Sequence, residues 1–360
     1  MTSHERLHRC YFHQETDRPA VYTRTGFPEN DPSYDRLKAL MTDVMDRKIT
    51  AQGIRVADRF SVREDITPFS DTHERVERTL ETPLGTLKSL YFRGLPGYSS
   101  ITREYFIRDR EDAERYLSLP DPDVHCDADA FGVSVREIGE RGIAEVRLGM
   151  NAAGFTAELC GSENFALLSV TDRDVLHELC RRRMETLLRV VNLCADRHIG
   201  PYFNILGQEF LTPPLHGVKD FRDFNVRYDK PVLDRVHEIG GRVHVHCHGP
   251  LKSVLPCFLE MGADVLHPIE PPPMGDVTAK QAREILGERV CIEGNLQIAG
   301  MYESTPDRIR EEVEALIRDA YVGHKGLIVS PSASPYIYGR GESCYDNYRA
   351  MVETVIRYRG

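Results

Sequence analysis

The chain has 360 residues, 41% of them apolar and 28% charged, and a formal net charge of −10. This is enough chain to bury a large core, and the excess of acid argues against a nucleic acid duplex or an anionic membrane as principal partner. No window approaches the roughly 18 apolar residues of a membrane span. The opening "MTSHERLHRC" lacks the apolar stretch of a signal peptide, and nine scattered cysteines without a C-x-x-C pair predict reduced thiols in a cytoplasm.

In chain order, "PAVYTR" (19–24) is expected to be a first barrel strand. Between about 55 and 130 the pattern changes, and "TPLGTLKSLYF" (82–92) has the form of an antiparallel hairpin. This stretch is taken as an insertion at the edge of a single domain spanning 1–360. "AEVRLGM" (144–150) is a second barrel strand, followed by a long helix from about 170 to 200 with Leu176, Leu179, Cys180, Leu187, Val190, Val191 and Cys194 on its apolar stripe. Within it, Arg181, Arg182 and Arg183 are expected to form a solvated face.

From 201 onward strands and helices alternate. "PYFNILG" is a strand. "YDKPVLDRVHEIGG" is a helix with Asp229 as cap, Pro231 in its first turn and Gly240 as stop. "RVHVHC" is a strand, followed by a helix over about 250–261. "ADVLHPIE" is a strand, and "DVTAKQAREILG" a helix capped by Asp276 or Thr278. "RVCIEGN" is a strand, and "STPDRIREEVEALIRDA" a helix capped by Thr305 with Pro306 at its first position. "GLIVSPS" (326–332) is the last strand. So many βα units in succession predict a (β/α)8 TIM barrel, with the insertion supplying antiparallel strands. No G-x-G-x-x-G follows a strand, which weakens a dinucleotide fold.

The stretch "RVHVHCHGP" carries His244, His246 and His248 at alternate positions. Residues two apart share a strand face, so Val243, Val245 and Cys247 are expected against the helices, with Cys247 a small buried hydrophobe, and the histidines are expected inward. His246 and His248 lie toward the strand's C-terminal end, where barrel active sites form. Two imidazoles and a carboxylate can ligate one ion, and Glu270 and Glu209 close neighbouring strands. The alternative is a set of histidines hydrogen-bonded to barrel carboxylates without metal. For His244, deeper in the barrel, the core role is favoured. Asn151, Asn295 and Gln297, at strand ends, either line the pocket or cap loops.

Taken in order, "DRPAVYTR", "ETPLGTLKSLYF", "REYFIRDREDAERYLSLPD", "FTAELCGSENF", "HCHGPLKSVLPCFLEMGADVLHPIE" and "GERVCIEGNLQ" resemble the uroporphyrinogen decarboxylase superfamily. They are most similar to its zinc-dependent methyltransferase branch, which works with corrinoid proteins. "FTAELCGSENF" (155–165) resembles a substrate-side loop of that family. The branch's His-x-Cys-Gly zinc motif matches His246-Cys247-His248-Gly249, with His248 where the branch has Cys. Glu270 matches a zinc-binding Glu of the related cobalamin-independent methionine synthases. The branch's last ligand, a Cys after the final strand, is missing from "VSPSASP" (329–335), and Cys344 is the nearest thiol.

The resemblance implies zinc or another divalent metal held by His246, His248, Glu270 and Cys344. It also implies Glu209 as a base behind the ion or as a fourth ligand, and Arg24, Asn151, Asn295 and Gln297 around the substrate. The methyl group would pass between a methoxylated or methyl-thiol small molecule and a corrinoid supplied by a separate protein. Decarboxylases of the superfamily have an arginine-rich N-terminal segment and a C-terminal Gly-His-Gly type segment. Here Arg24 remains of the first, and "VSPSASP" replaces the second. A carboxy-lyase is therefore the alternative enzyme, and a non-catalytic barrel binding a tetrapyrrole or metal is the third class.

Overall fold

A computed structural model describes residues 1–358. Eight parallel strands form one curled sheet: β1 (Ala20–Val21), β2 (Arg47–Thr50), β9 (Gly142–Met150), β10 (Tyr202–Leu206), β11 (Arg242–His246), β12 (Val265–His267), β13 (Cys291–Leu296) and β14 (Leu327–Pro331). Their order is β1-β14-β13-β12-β11-β10-β9-β2, and helices alternate with them in the chain. Asp46 ties the two outer strands together. Its backbone N–H donates to Val21 O at 2.9 Å, and its carboxylate accepts from Val21 N–H at 2.8 Å. Arg6 and Arg18 neutralise this buried carboxylate at 2.6 and 3.2 Å. The architecture is a (β/α)8 barrel.

The strand at 47–50 was not expected. It is short, and Arg47 and Lys48 interrupt its apolar pattern. The strand at 19–24 is only two residues long, although Tyr22 N–H beyond it still donates to Val329 O at 3.0 Å.

The insertion follows β2. β3 (Ile54–Ala57) pairs antiparallel with β8 (Asp123–Cys126). β4 (Val62–Pro68), β5 (His73–Thr82), β6 (Gly85–Gly94) and β7 (Ile101–Glu104) form a four-stranded antiparallel sheet. The tight β5–β6 turn lies where the hairpin was expected, with Thr82 opposite Gly85.

The first helix, α1 (Ser3–Tyr11), seals the N-terminal end of the barrel. Its Leu7, Cys10 and Tyr11 pack with the inward residues Ala20, Ile143, Tyr202, Val265, Cys291 and Ile328. Around the barrel run α2 (Asp35–Val44), α3 (Arg110–Leu117), α4 (Ala128–Ile138), α5 (Ala152–Thr171) and α6 (Arg173–Asp196). Two expectations are corrected here. "FTAELCGSENF" is not a loop but the heart of α5, interrupted at Gly161, whose φ of 75° breaks the helical path. The helix expected from about 170 begins at Arg173, after the Asp172 break.

Asp229 is not a cap either. α7 (Val218–Asp220) runs through a π-type turn at Phe221–Val226 into α8 (Arg227–Glu238), so Asp229 lies inside a continuing helix. The remaining helices are α9 (Leu255–Met261), α10 (Ala279–Leu286), α11 (Ile298–Glu303), α12 (Pro306–Ala320) and α13 (Gly341–Arg357). Thr278 closes a capping box at α10, and Thr305 caps α12. Among the described residues, no helix is long and apolar enough to cross a membrane.

Candidate active site

Above the apolar floor, the barrel interior is polar. Most lumens of this kind are filled by layers of branched apolar residues. Here alternate inward positions place Tyr22 and Arg24, Lys48 and Thr50, Glu145 and Arg147, Asn204 and Leu206, and His244 and His246 around a cavity of about 250 Å3. Glu293 of β13 lies at its base, where Lys48 donates to it at 2.5 Å and His244 Nε2 sits 3.5 Å away. Burial opposes the charge on Glu293, yet Lys48 and His244 hold its pKa well below the usual range. The Tyr11 hydroxyl donates to Glu145 at 2.5 Å. Arg147, by contrast, is exposed and has no hydrogen-bond or ion-pair partner among the described residues.

Cys247 is fully buried among the apolar residues behind the strand. The ladder ends at His246, so the histidines do not continue as one row. His246 stays in the lumen and meets His267, its register partner on β12, with the two Nδ1 atoms 2.8 Å apart. His248 lies beyond the strand and turns to Glu270, its Nδ1 3.1 Å from Oε2. The same carboxylate accepts from Gly249 N–H at 3.2 Å. Burial raises the Glu270 pKa, but His248, Gly249 and Ser332 bring it below the ordinary range.

The protonation pattern at the first pair follows from the partners. The carbonyl of Pro331 only accepts, so His267 Nε2 carries a hydrogen and donates to it at 3.1 Å. Burial keeps His267 neutral, which leaves a lone pair on its Nδ1. Arg24 Nη1 only donates and lies 2.7 Å from His246 Nδ1, giving that atom a lone pair too. Burial first, then His267 and Arg24, drive the His246 pKa far down. Two imidazole lone pairs thus converge on one guanidinium, with Arg24 also 3.5 Å from His267 Nδ1.

This arrangement bears on the metal. The expected ligands His246 and His248 keep their rings in contact, centroids 4.7 Å apart, but His246 turns its Nδ1 to His267 and Arg24 while His248 turns its own to Glu270. Among the described residues, no three His, Cys, Asp or Glu side chains come together around one ion. Arg24 further places a cation where His246 would bind one. The described donor set therefore does not fit the zinc-type site that the family resemblance implies. Cys344 is also corrected. It lies in α13, fully buried, and its thiol donates to Gly341 O at 3.2 Å within the packed core.

Glu209 follows β10 and accepts from Gly207 N–H at 3.1 Å. Burial pushes its pKa up, opposed in part by nearby His248 and Arg24. Asn151 is a cap and not a pocket residue. Fully buried, it accepts from Gly154 N–H at 2.7 Å and donates to Asn225 and Asp229. Asn295 and Gln297 line a separate cleft with Pro271 and Arg308, where Gln297 donates to Pro271 O at 2.8 Å.

The sequence reasoning missed His267, Lys48, Glu293 and Arg147. Only His267 left a signal: it stands two residues after Val265 on a strand adjacent to β11.

A class of protein follows from this fold and polar lumen, and comparison with known proteins agrees. The model of the family "Uroporphyrinogen decarboxylase (URO-D)" matches residues 112–358, and the chain belongs to that family. The sequence matches no curated protein. Among solved structures, a methyltransferase from Methanosarcina mazei is 12% identical, covers 100% of both chains and superposes with a TM-score of 0.64, showing the same fold. A B12-independent methionine synthase from Shewanella sp. W3-18-1 is 11% identical over 90% of this chain and 86% of its own, with a TM-score of 0.45.

Proposed function

We propose that the chain is an enzyme that moves a methyl group to or from a small acidic molecule at the barrel mouth. The observation that carries this is the convergence of unpaired Arg147, Arg24 and the neutral His246 on one cavity, with His267 buried behind His246. The methyltransferase from Methanosarcina mazei, similar over its whole length, supports methyl transfer as the chemistry.

In this proposal Arg147 seats an anionic group of the substrate, since a guanidinium offers paired donors to a carboxylate. Arg24, backed by His246 and His267, faces the reacting end. As the carbon–oxygen or carbon–sulfur bond to the methyl group breaks, the departing atom takes a proton from Glu209. The raised pKa of Glu209 favours that protonated form. In the reverse direction Glu209 accepts the proton from the attacking hydroxyl or thiol. His248 and Glu270 close the mouth beside it. The methyl carrier is proposed to be a corrinoid held by a separate protein, which rests on the likeness of the histidine strand to the methyltransferase branch. Charge and proton handling falls to Arg24, His246 and Glu209, because the described donors do not assemble a seat for an ion.

A second reading has one observation behind it. Arg24, Lys48 and Arg147 also suit the carboxylates of a decarboxylase substrate. Kinetics of demethylation of a methoxylated benzoate with a corrinoid protein separate the two. Methyl transfer predicts turnover, with Arg147→Gln raising KM and Glu209→Gln lowering kcat. Carbon dioxide release without methyl loss would replace it with the decarboxylase reading.

A further inference from the structure

The three arginines of α6 do not form one solvated face. Arg181 does face solvent, paired with Glu178 and Glu185. Arg182 turns to the chain after α3, donating to Leu119 O and Pro120 O at 2.8 Å and pairing with Asp121 at 3.2 Å. Arg183 reaches the mouth end of β9 and donates to Met150 O at 2.9 Å and Leu148 O at 3.4 Å. Its guanidinium carbon lies 4.7 Å from the centroid of Phe155.

Beside Arg183 lies a cavity of about 210 Å3, distinct from the barrel lumen and walled by Val56, Phe60, Tyr116, Phe155, Leu159 and Leu179. Arg183 lines it. It donates to carbonyl oxygens through Nε and Nη2, and among the described residues Nη1 has no partner. Among the described residues no carboxylate bonds Arg183. Asp58 stands in the same cavity without a hydrogen bond to either arginine. Burial pushes the Arg183 pKa down to about 10, as for a cation whose compensation is incomplete.

We propose that this cavity is a second binding site, taking a small aromatic monocarboxylate with its ring among the apolar walls and its carboxylate on Nη1 of Arg183. Aromatic walls with a single free guanidinium edge suit a flat apolar body carrying one negative charge. Asp58 disfavours a dianion. Arg183 also grips the backbone on either side of Gly149, two residues after Arg147. Occupancy is thereby linked to the end of the strand that carries the barrel-mouth cation.

The test is titration of the full chain with benzoate and with benzamide, its uncharged counterpart, followed by ligand-observed NMR and thermal unfolding. Wild-type protein should bind benzoate about tenfold or more tighter than benzamide, the size of one charge-assisted hydrogen bond. Arg183→Gln should erase that preference. Leu159→Trp should fill the space and abolish binding of both. The Arg183 and Leu159 variants are compared in an Arg147→Gln background, which removes the carboxylate seat proposed for the barrel mouth, and Arg147→Gln alone should keep the preference for benzoate. If Arg183→Gln fails to fold, Arg183→Lys and Leu159→Trp carry the comparison, with Arg183→Lys keeping a preference for the anion. Equal binding of the two probes, no binding, or loss of benzoate binding in Arg147→Gln would overturn the proposal. The last of these would place the anion in the barrel lumen.

Discussion

Arg24 sets the chemistry of the histidines around it. Its guanidinium faces two lone pairs, on His246 and His267, that would otherwise repel at 2.8 Å. Arg24→Met should therefore lower methyl-transfer activity and raise zinc uptake, because it removes a positive charge from two free imidazole nitrogens. Metal content after dialysis against zinc measures this. One zinc per wild-type chain, unchanged in Arg24→Met, would show that the ligands regroup. Lys48 and Glu293 are a different case, a buried ion pair at 2.5 Å. Lys48→Met strands the carboxylate and should cost about 3–5 kcal/mol in denaturant unfolding. Lys48→Met with Glu293→Gln should recover much of it. Among the described residues Asp229 has no cation beside it. Burial raises its pKa to about 7, although Gln208 and Asn151 donate to it. The folded state thus holds a proton that the unfolded chain has released. The contribution of this group to stability should fall as pH rises from about 4 to about 7. Asp229→Asn should flatten that dependence. A wild-type stability curve that the substitution leaves unchanged would contradict the assignment.

At the scale of elements, α1 acts as the floor of the barrel. Leu7, Cys10 and Tyr11 are wholly buried, and Tyr11 also completes Glu145 inside the lumen. Burying a large apolar side chain stabilises by roughly 1.5–3 kcal/mol. Removing residues 1–12 should thus lower the unfolding midpoint far more than Leu84→Ser in the exposed β5–β6 turn, as a paired thermal melt would show. Equal effects would mean that the floor is held without α1. The βα alternation after 200 was legible because caps, prolines and glycines mark each helix; Thr278 and Thr305 are the plainest cases. α5 was not legible, since its apolar residues surround it and Gly161 interrupts it. The histidine strand was legible in direction only. Alternation places Cys247 outward and His246 inward, but it cannot say that the ladder stops at His246 and frees His248 to meet Glu270. The lumen's charges escaped because Lys48, Glu145, Arg147 and Glu293 come from three strands with no local pattern joining them. Cys344 was misplaced for a related reason: a thiol near the last strand in sequence belongs to a helix that buries it in the core.

As a whole, the molecule joins a sealed apolar floor, a charged middle and an open mouth with one unpaired arginine. Membership of the uroporphyrinogen decarboxylase family sets the fold, while the reaction depends on what that mouth does to its substrate. The most direct measurement uses 4-methoxybenzoate with one isotope in the methyl carbon and another in the carboxyl carbon. It is incubated with the full chain and a reduced corrinoid protein. The account predicts that the methyl label moves to the corrinoid protein while the carboxyl label stays on the aromatic product, and that Arg147→Gln and Glu209→Gln each reduce the movement. Release of the carboxyl label as carbon dioxide, with the methyl label left on the ring, would contradict it.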